Sequence, residues 1–113
     1  MSEEQRCRKL TLTSYTKLPI NSKYIKRLQR SLIYSDSDLI GDHYIAGKTG
    51  TSQVVGRELS KKSKKFQDHS VFTGYYPATK PRYAISVVVE HGGWGSKTAL
   101  PVAKGILDQV KDL

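Results

Sequence analysis

The spacing of apolar residues along the chain changes from helical to alternating and back to helical. From Asn21 onward, Ile25, Leu28, Leu32 and Ile33 fall on one helical stripe, while Lys23, Lys26, Arg27 and Arg30 take the outer faces. Asn21 or Ser22 can supply the capping oxygen, and the turn-like "YSDSD" from Tyr34 to Asp38 predicts where the helix ends. His43 to Val55 then reads as strand-forming but holds Gly47 and Gly50. Glycine inside a strand marks a close approach by another backbone or by a ligand.

Two further runs alternate. "HSVFTGYY" is followed by "PATKP" and then by "RYAISVVVEH", in which Tyr83, Ile85, Val87 and Val89 oppose Ala84, Ser86, Val88 and Glu90. A Pro-bounded connection of this length predicts an antiparallel hairpin. "GGWG" breaks the sheet, and a last helix begins near Ser96 or Thr98, with Pro101 tolerated in its opening turn. Ala99, Val102, Ala103, Ile106, Leu107 and Val110 follow the helical pattern of a face laid on a sheet. The fold class is therefore α+β: an antiparallel three-strand sheet with an N-terminal helix and a C-terminal amphipathic helix. Residues 1–19 read as an irregular N-terminal segment, and 20–113 as the structured portion.

Composition narrows the class. A chain of 113 residues suffices for one small core, and no run approaches the roughly 20 apolar residues of a membrane span. "MSEEQRCRKL" lacks the apolar stretch of a signal peptide, so a chain expressed as it stands is expected to be cytoplasmic. Cys7 is alone, and His43, His69 and His91 lack ligand spacing, so neither a disulfide framework, a metal nor another cofactor is expected. The net charge of +9 favours anionic surroundings, and "SKKSKKF", Ser60 to Phe66, reads as a solvated connecting loop. The seven tyrosines sit mainly at strand positions and are not interleaved with that basic run, so no nucleic-acid partner is expected.

"AGKTGTSQVV", Ala46 to Val55, carries the chemistry. A phosphate-cradling loop needs glycine five places before the second glycine, and Asp42 stands there instead. A carboxylate at that point repels phosphate, and "TSQVV" continues as strand where such a loop must open a helix. The alternative is K-T-G on a strand beside a cleft, one of the signature elements of serine penicillin-recognising enzymes. The lysine supplies fixed positive charge, the glycine admits an extended peptide, and main-chain N–H groups can stabilise an oxyanion.

Taken in order, "AGKTGTSQV", "DHSVFTGYYP", "YAISVVVEHGGWGS" and "ALPVAKGILD" resemble the end of the class B penicillin-binding proteins, most of all the penicillin-binding protein 2-like D,D-transpeptidases of peptidoglycan synthesis. The resemblance covers about Asp42 to Val110. It implies that Lys48 contributes charge near the nucleophile, as an auxiliary to catalysis. Thr49 and Thr51 would offer hydroxyls to the carboxylate of a D-Ala-D-Ala terminus or a β-lactam. Gly50 would keep the strand open, and the Thr51 N–H would be one oxyanion donor. Trp94 departs from the small residues usual in that turn. Glu90, His91, Asp68 and His69 are read as structural.

A nucleophile in context is missing. The S-x-x-K string "SYTK", Ser14 to Lys17, lies beside Pro19 in a polar stretch with no apolar helix behind it, and no serine is followed two places on by asparagine. The resemblance thus implies a transpeptidase-domain fragment that binds stem peptide or β-lactam but is inactive alone, with a separately encoded N-terminal portion as a possible partner. The rival is a small basic, non-enzymatic module binding nucleic acid or an anionic envelope polymer, drawn by the +9 charge. An exposed sheet edge and an uncovered helix face predict a marginal or aggregation-prone monomer.

Overall fold

A computed structural model describes residues 16–33 and 39–112. The "YSDSD" turn, Cys7 and Ser14 of "SYTK" lie outside the described residues. Helix α1 spans Ser22–Ser31, and the Asn21 side chain caps it by accepting the Lys23 N–H at 3.0 Å. Two short strands follow, β1 (Leu39–Ile40) and β2 (His43–Tyr44), paired as a tight hairpin around Gly41 at φ 63°. The main sheet is β3 (Ala46–Ser52), β4 (His69–Tyr76) and β5 (Tyr83–Val89) in the order β3-β4-β5, antiparallel throughout. Between β3 and β4 lie α2 (Arg57–Ser60) and a 3-10 turn at Lys64–Phe66. Helix α3, Ala99–Val110, closes the chain.

The expected α+β order stands, with refinements. The long strand expected over His43 to Val55 divides at Ile45 into β2 and β3 and ends at Ser52. The lysine-rich connection is wound into two short helical turns, with Lys61, Lys62, Lys64 and Lys65 all exposed. The apolar stripe expected on α1 is not covered: no residue of the helix is buried, and Leu28 is 57% exposed.

The core forms where one face of the sheet meets α3. Ile40, Ile45, Phe72, Tyr76, Ala99, Ala103 and Leu107 make it, with Tyr83, Ile85, Val87, Leu100 and Val110 packed around. The alternation in β5 explains its half: Ile85 and Val87 turn inward, while Ala84, Ser86 and Val88 turn out. Small residues on α3 let it lie close, since Ala99 and Ala103 present no bulk to the strands. Val102 and Ile106, expected on the covered stripe, remain 43% and 47% exposed. The helix has a wider apolar arc than three strands can cover.

Two glycines let the sheet accept an aromatic ring. Gly47 and Gly74 pair across β3 and β4. A Cβ on Gly74 would stand 2.7 Å from Phe72 Cζ, and one on Gly47 would meet the same ring and lie 2.6 Å from the Thr73 carbonyl oxygen. The Phe72 ring therefore lies over bare backbone. Tyr76 and Tyr83 fasten the periphery, their hydroxyls donating to the Ile40 oxygen at 2.7 Å and the Val110 oxygen at 3.0 Å.

Candidate substrate-binding edge

Strand β3 is an edge strand among the described residues, and the side its backbone presents can be derived. The Gly47 N–H donates to the Leu32 carbonyl at 3.0 Å and so points away from β4. Main-chain polar groups of a strand alternate sides. Those of Thr49 and Thr51 therefore also point outward, while those of Lys48 and Gly50 face β4. The open edge thus offers the N–H and C=O of Thr49 and Thr51.

Lys48 reaches this edge from one face of the sheet. It pairs with Thr73, which pairs with Ser86, and the Thr73 and Ser86 hydroxyls lie 3.0 Å apart on the uncovered face. The exposed lysine folds over so that its Nζ donates to the Thr49 carbonyl oxygen at 2.7 Å. A cation is thereby held at the unpaired edge.

The four expected site residues do not share one surface. Lys48 and Gly50 point to the face opposite α3. Thr49, paired with Phe72, and Thr51, paired with Ser70, point to the α3 side. Thr49 is half-buried, while Thr51 is exposed and its Oγ1 accepts the Gly95 N–H at 3.4 Å. What they share is the edge. Gly50 has room for a side chain, its nearest neighbour being Val71 Cβ at 3.8 Å, so internal packing does not require glycine there.

The turn after β5 supports the strand from beneath. Its Gly95 is buried against the β3–β4 backbone: a Cβ there would lie 2.8 Å from the Val71 oxygen and 2.9 Å from the Gly50 nitrogen. Ser70, fully buried, donates to the Trp94 oxygen at 3.1 Å and accepts the Ala99 N–H at 2.9 Å. One hydroxyl so joins β4, the turn and the first N–H of α3, taking the capping role that Thr98 does not fill for its own helix. Thr98 instead donates to the Gly92 oxygen at 2.7 Å. Trp94 itself is 69% exposed and its ring is not part of the packing.

The histidines serve the same turn. The His91 N–H donates to His69 Nδ1 at 2.9 Å, His91 Nδ1 lies 3.0 Å from the Gln67 oxygen, and the ring centroids are 4.7 Å apart. Holding the His91 N–H requires an unprotonated His69 Nδ1. His91 adopts φ 53°, a left-handed conformation rare outside glycine, and Gly93 adopts φ 81°. Sequence reasoning missed Ser70 and Gly95. Ser70 left a signal, being a hydroxyl at an inward position of an otherwise apolar alternation; Gly95 left only its place in a glycine-rich turn.

An antiparallel sheet backed by a C-terminal helix, with K-T-G on its open edge, is a piece of the penicillin-recognising transpeptidase fold. The profile of the penicillin binding protein transpeptidase domain matches residues 2–108, and the chain belongs to that family, as a penicillin-binding protein 2-like segment. It is 34% identical over 73 residues to the peptidoglycan D,D-transpeptidase MrdA of Haemophilus influenzae, covering 59% of this chain and 11% of that protein. With MrdA of Acinetobacter baumannii it shares 42% over 69 residues, covering 53% of this chain and 10% of the relative. A crystal structure of Pseudomonas aeruginosa PBP2 in complex with WCK 5153 is 41% identical, covers 58% of this chain and 12% of that one, and superposes with a TM-score of 0.47. The chain thus spans about a tenth of the length of the curated relatives it matches. Among the described residues, no helix is long and apolar enough to cross a membrane.

Proposed function

We propose that the β3 edge is the substrate-binding strand of a peptidoglycan D,D-transpeptidase, taking the acyl-D-Ala-D-Ala end of a stem peptide or a β-lactam in its place. The observation that carries this reading is the convergence of the Lys48 ammonium with the outward main-chain groups of Thr49 and Thr51 on one unpaired edge. An extended peptide adds there as a further strand, its terminal carboxylate meets the Lys48 charge, and its scissile carbonyl comes within reach of the Thr51 N–H. The room at Gly50 supports it, because the glycine serves the approach of something outside the chain's own packing.

An oxyanion donor accelerates acyl transfer only where a nucleophile attacks. The S-x-x-K and S-x-N elements are not in context here, so the chain alone binds and does not acylate. The remainder of such a transpeptidase domain would supply the serine. The test is amide NMR of the chain with an acyl-D-Ala-D-Ala peptide, alongside incubation with a fluorescent penicillin. Shifts centred on residues 48–51, lost in Lys48→Ala, are expected, with no covalent label on the isolated chain. Shifts confined to other residues overturn the site, and covalent labelling overturns the inactivity.

A further inference from the structure

One hydrogen bond fixes where the turn after β5 sets out. The His91 N–H donates to His69 Nδ1 at 2.9 Å, so the first residue of β4 holds the head of the turn. His91 sits at φ 53°, a conformation that a residue with a side chain keeps only where its surroundings hold it. A second tie runs from the Gly93 N–H to the Asp68 oxygen at 2.9 Å. Two residues further on, Gly95 lies against the Gly50 backbone and its N–H meets Thr51 Oγ1 at 3.4 Å. A continuous set of contacts therefore runs from the His69 ring, through the turn, to the middle of the K-T-G strand.

The two histidines differ in what a proton does to them. His69 Nδ1 accepts with its lone pair, and a proton there sets donor against donor. The ring must then swing aside, and the carbonyl that holds Gly93 belongs to the adjoining residue, Asp68. His91 Nδ1 lies 3.0 Å from the Gln67 oxygen, a bond that needs a proton on Nδ1 and survives a second proton on Nε2. With ring centroids 4.7 Å apart, two charged rings also repel each other. The charged groups on neighbouring elements are Asp68 before β4, Glu90 at the end of β5, Lys61 after α2 and Lys97 ahead of α3, while β3 sets the neutral Ser52 opposite His69. Among these side-chain types, imidazole is the one that ordinarily changes charge between about pH 8 and about pH 5.

We propose that His69 is a positioning residue for the β3 edge: its unprotonated ring holds the turn on which that edge rests, and a proton on it loosens the edge and weakens its hold on an acyl-D-Ala-D-Ala end. The inference rests on the reading of β3 as the substrate-binding strand. His69 pairs with Ser52, beyond the four site residues, so it acts through the turn and not on the peptide. The sign follows from the bond. It is intact in alkaline buffer and is lost as pH falls, and with it goes the seating of Gly95 beneath Gly50 that sets the outward Thr49 and Thr51 groups.

Amide NMR of the full chain tests this, with and without an acyl-D-Ala-D-Ala peptide, between about pH 8 and about pH 5. The peptide carboxylate stays ionised throughout that interval. Wild-type affinity is expected to fall by roughly threefold to tenfold at the acid end, the scale of one hydrogen bond. The Gly95 and Thr51 amides of the free chain are expected to shift along the same curve as the His69 ring protons. His69→Asn offers an oxygen at the place of Nδ1 and takes up no proton, so it is expected to hold the alkaline affinity and the alkaline amide positions at both ends. His69→Leu, with no acceptor, is expected to show the weakened affinity at both. Equal wild-type affinity across the interval overturns the proposal, as does a pH dependence that persists in His69→Asn. Should the peptide leave residues 48–51 unmoved at every pH, the substrate-binding reading fails by itself. The free-chain shifts then decide the coupling: present in wild type and absent in His69→Asn they uphold it, and identical in both they sink it.

Discussion

The Gly95 main chain rests directly on Gly50, its N–H meeting the Thr51 hydroxyl at 3.4 Å. A glycine in the turn after the last strand thus supports the middle of the K-T-G strand from below. The contact is backbone on backbone, which leaves neither partner a flexible side chain with which to yield. The strand and the turn move together.

Replacing Gly95 by alanine tests that coupling. The added methyl would press into the Gly50 oxygen and stand 2.8 Å from the Val71 oxygen. Overpacking of this kind costs on the order of 1–3 kcal/mol. Gly95→Ala is expected to lower the denaturation midpoint and to shift the Thr51 and Gly50 amide resonances. A melt and amide spectrum indistinguishable from wild type would show that the turn does not bear on the strand.

Ser70 is the second joint. Its hydroxyl makes two bonds from a fully buried position, one of them to the first N–H of α3. Ser70→Ala leaves the buried Ala99 N–H without its acceptor, while the Trp94 carbonyl keeps the Lys97 and Thr98 N–H groups, and the orphaned amide costs roughly 1–3 kcal/mol. Ser70→Thr retains the hydroxyl and is expected to recover part of the loss where the extra methyl is accommodated. Urea titration of the three proteins measures both differences.

Legibility differed by element for a physical reason. The β4–β5 hairpin and α3 were readable because their apolar spacing matches surfaces that this chain itself buries. In α3, Ala99, Ala103 and Leu107 lie inside as expected, and Pro101 stands in the opening turn. The stripes of α1 and the Val102–Ile106 flank of α3 were equally readable as apolar, yet they are uncovered. Periodicity reports that a face is apolar and is silent on what lies against it. The β1–β2 hairpin left little pattern, since strands of two residues are too short to alternate. At the site, the K-T-G residues were located by type and spacing, whereas their division between two faces, and their reunion at an edge, depend on the register with β4.

Tyr76 ties that small hairpin to the core. Its buried hydroxyl donates to the Ile40 oxygen at 2.7 Å, and its ring packs edge-on against His43 with centroids 6.4 Å apart. Tyr76→Phe keeps the ring and removes the donor, taking from the Ile40 carbonyl the bond that ties it to the core while leaving its hairpin pairing with His43. A loss of about 1–2 kcal/mol is expected, together with faster amide hydrogen exchange at residues 39–44 than elsewhere. Uniform exchange across the chain would place the effect in the core as a whole.

Tyr75 gives the opposite sign. Its hydroxyl is buried without a hydrogen-bond partner among the described residues, and burial raises its pKa above the ordinary tyrosine range. The ionised form is the one that burial disfavours, so the folded chain holds this proton to higher pH than the unfolded chain does. Stability from this group is intact below the unfolded pKa and falls as pH rises through the interval up to the folded one. Tyr75→Phe removes both the unsatisfied donor and the titration. It is expected to be neutral or stabilising by up to about 1 kcal/mol at neutral pH, and to flatten the alkaline decline. Thermal melts of the two proteins across the alkaline range measure this, and a decline of equal slope in both would assign the alkaline loss to other groups.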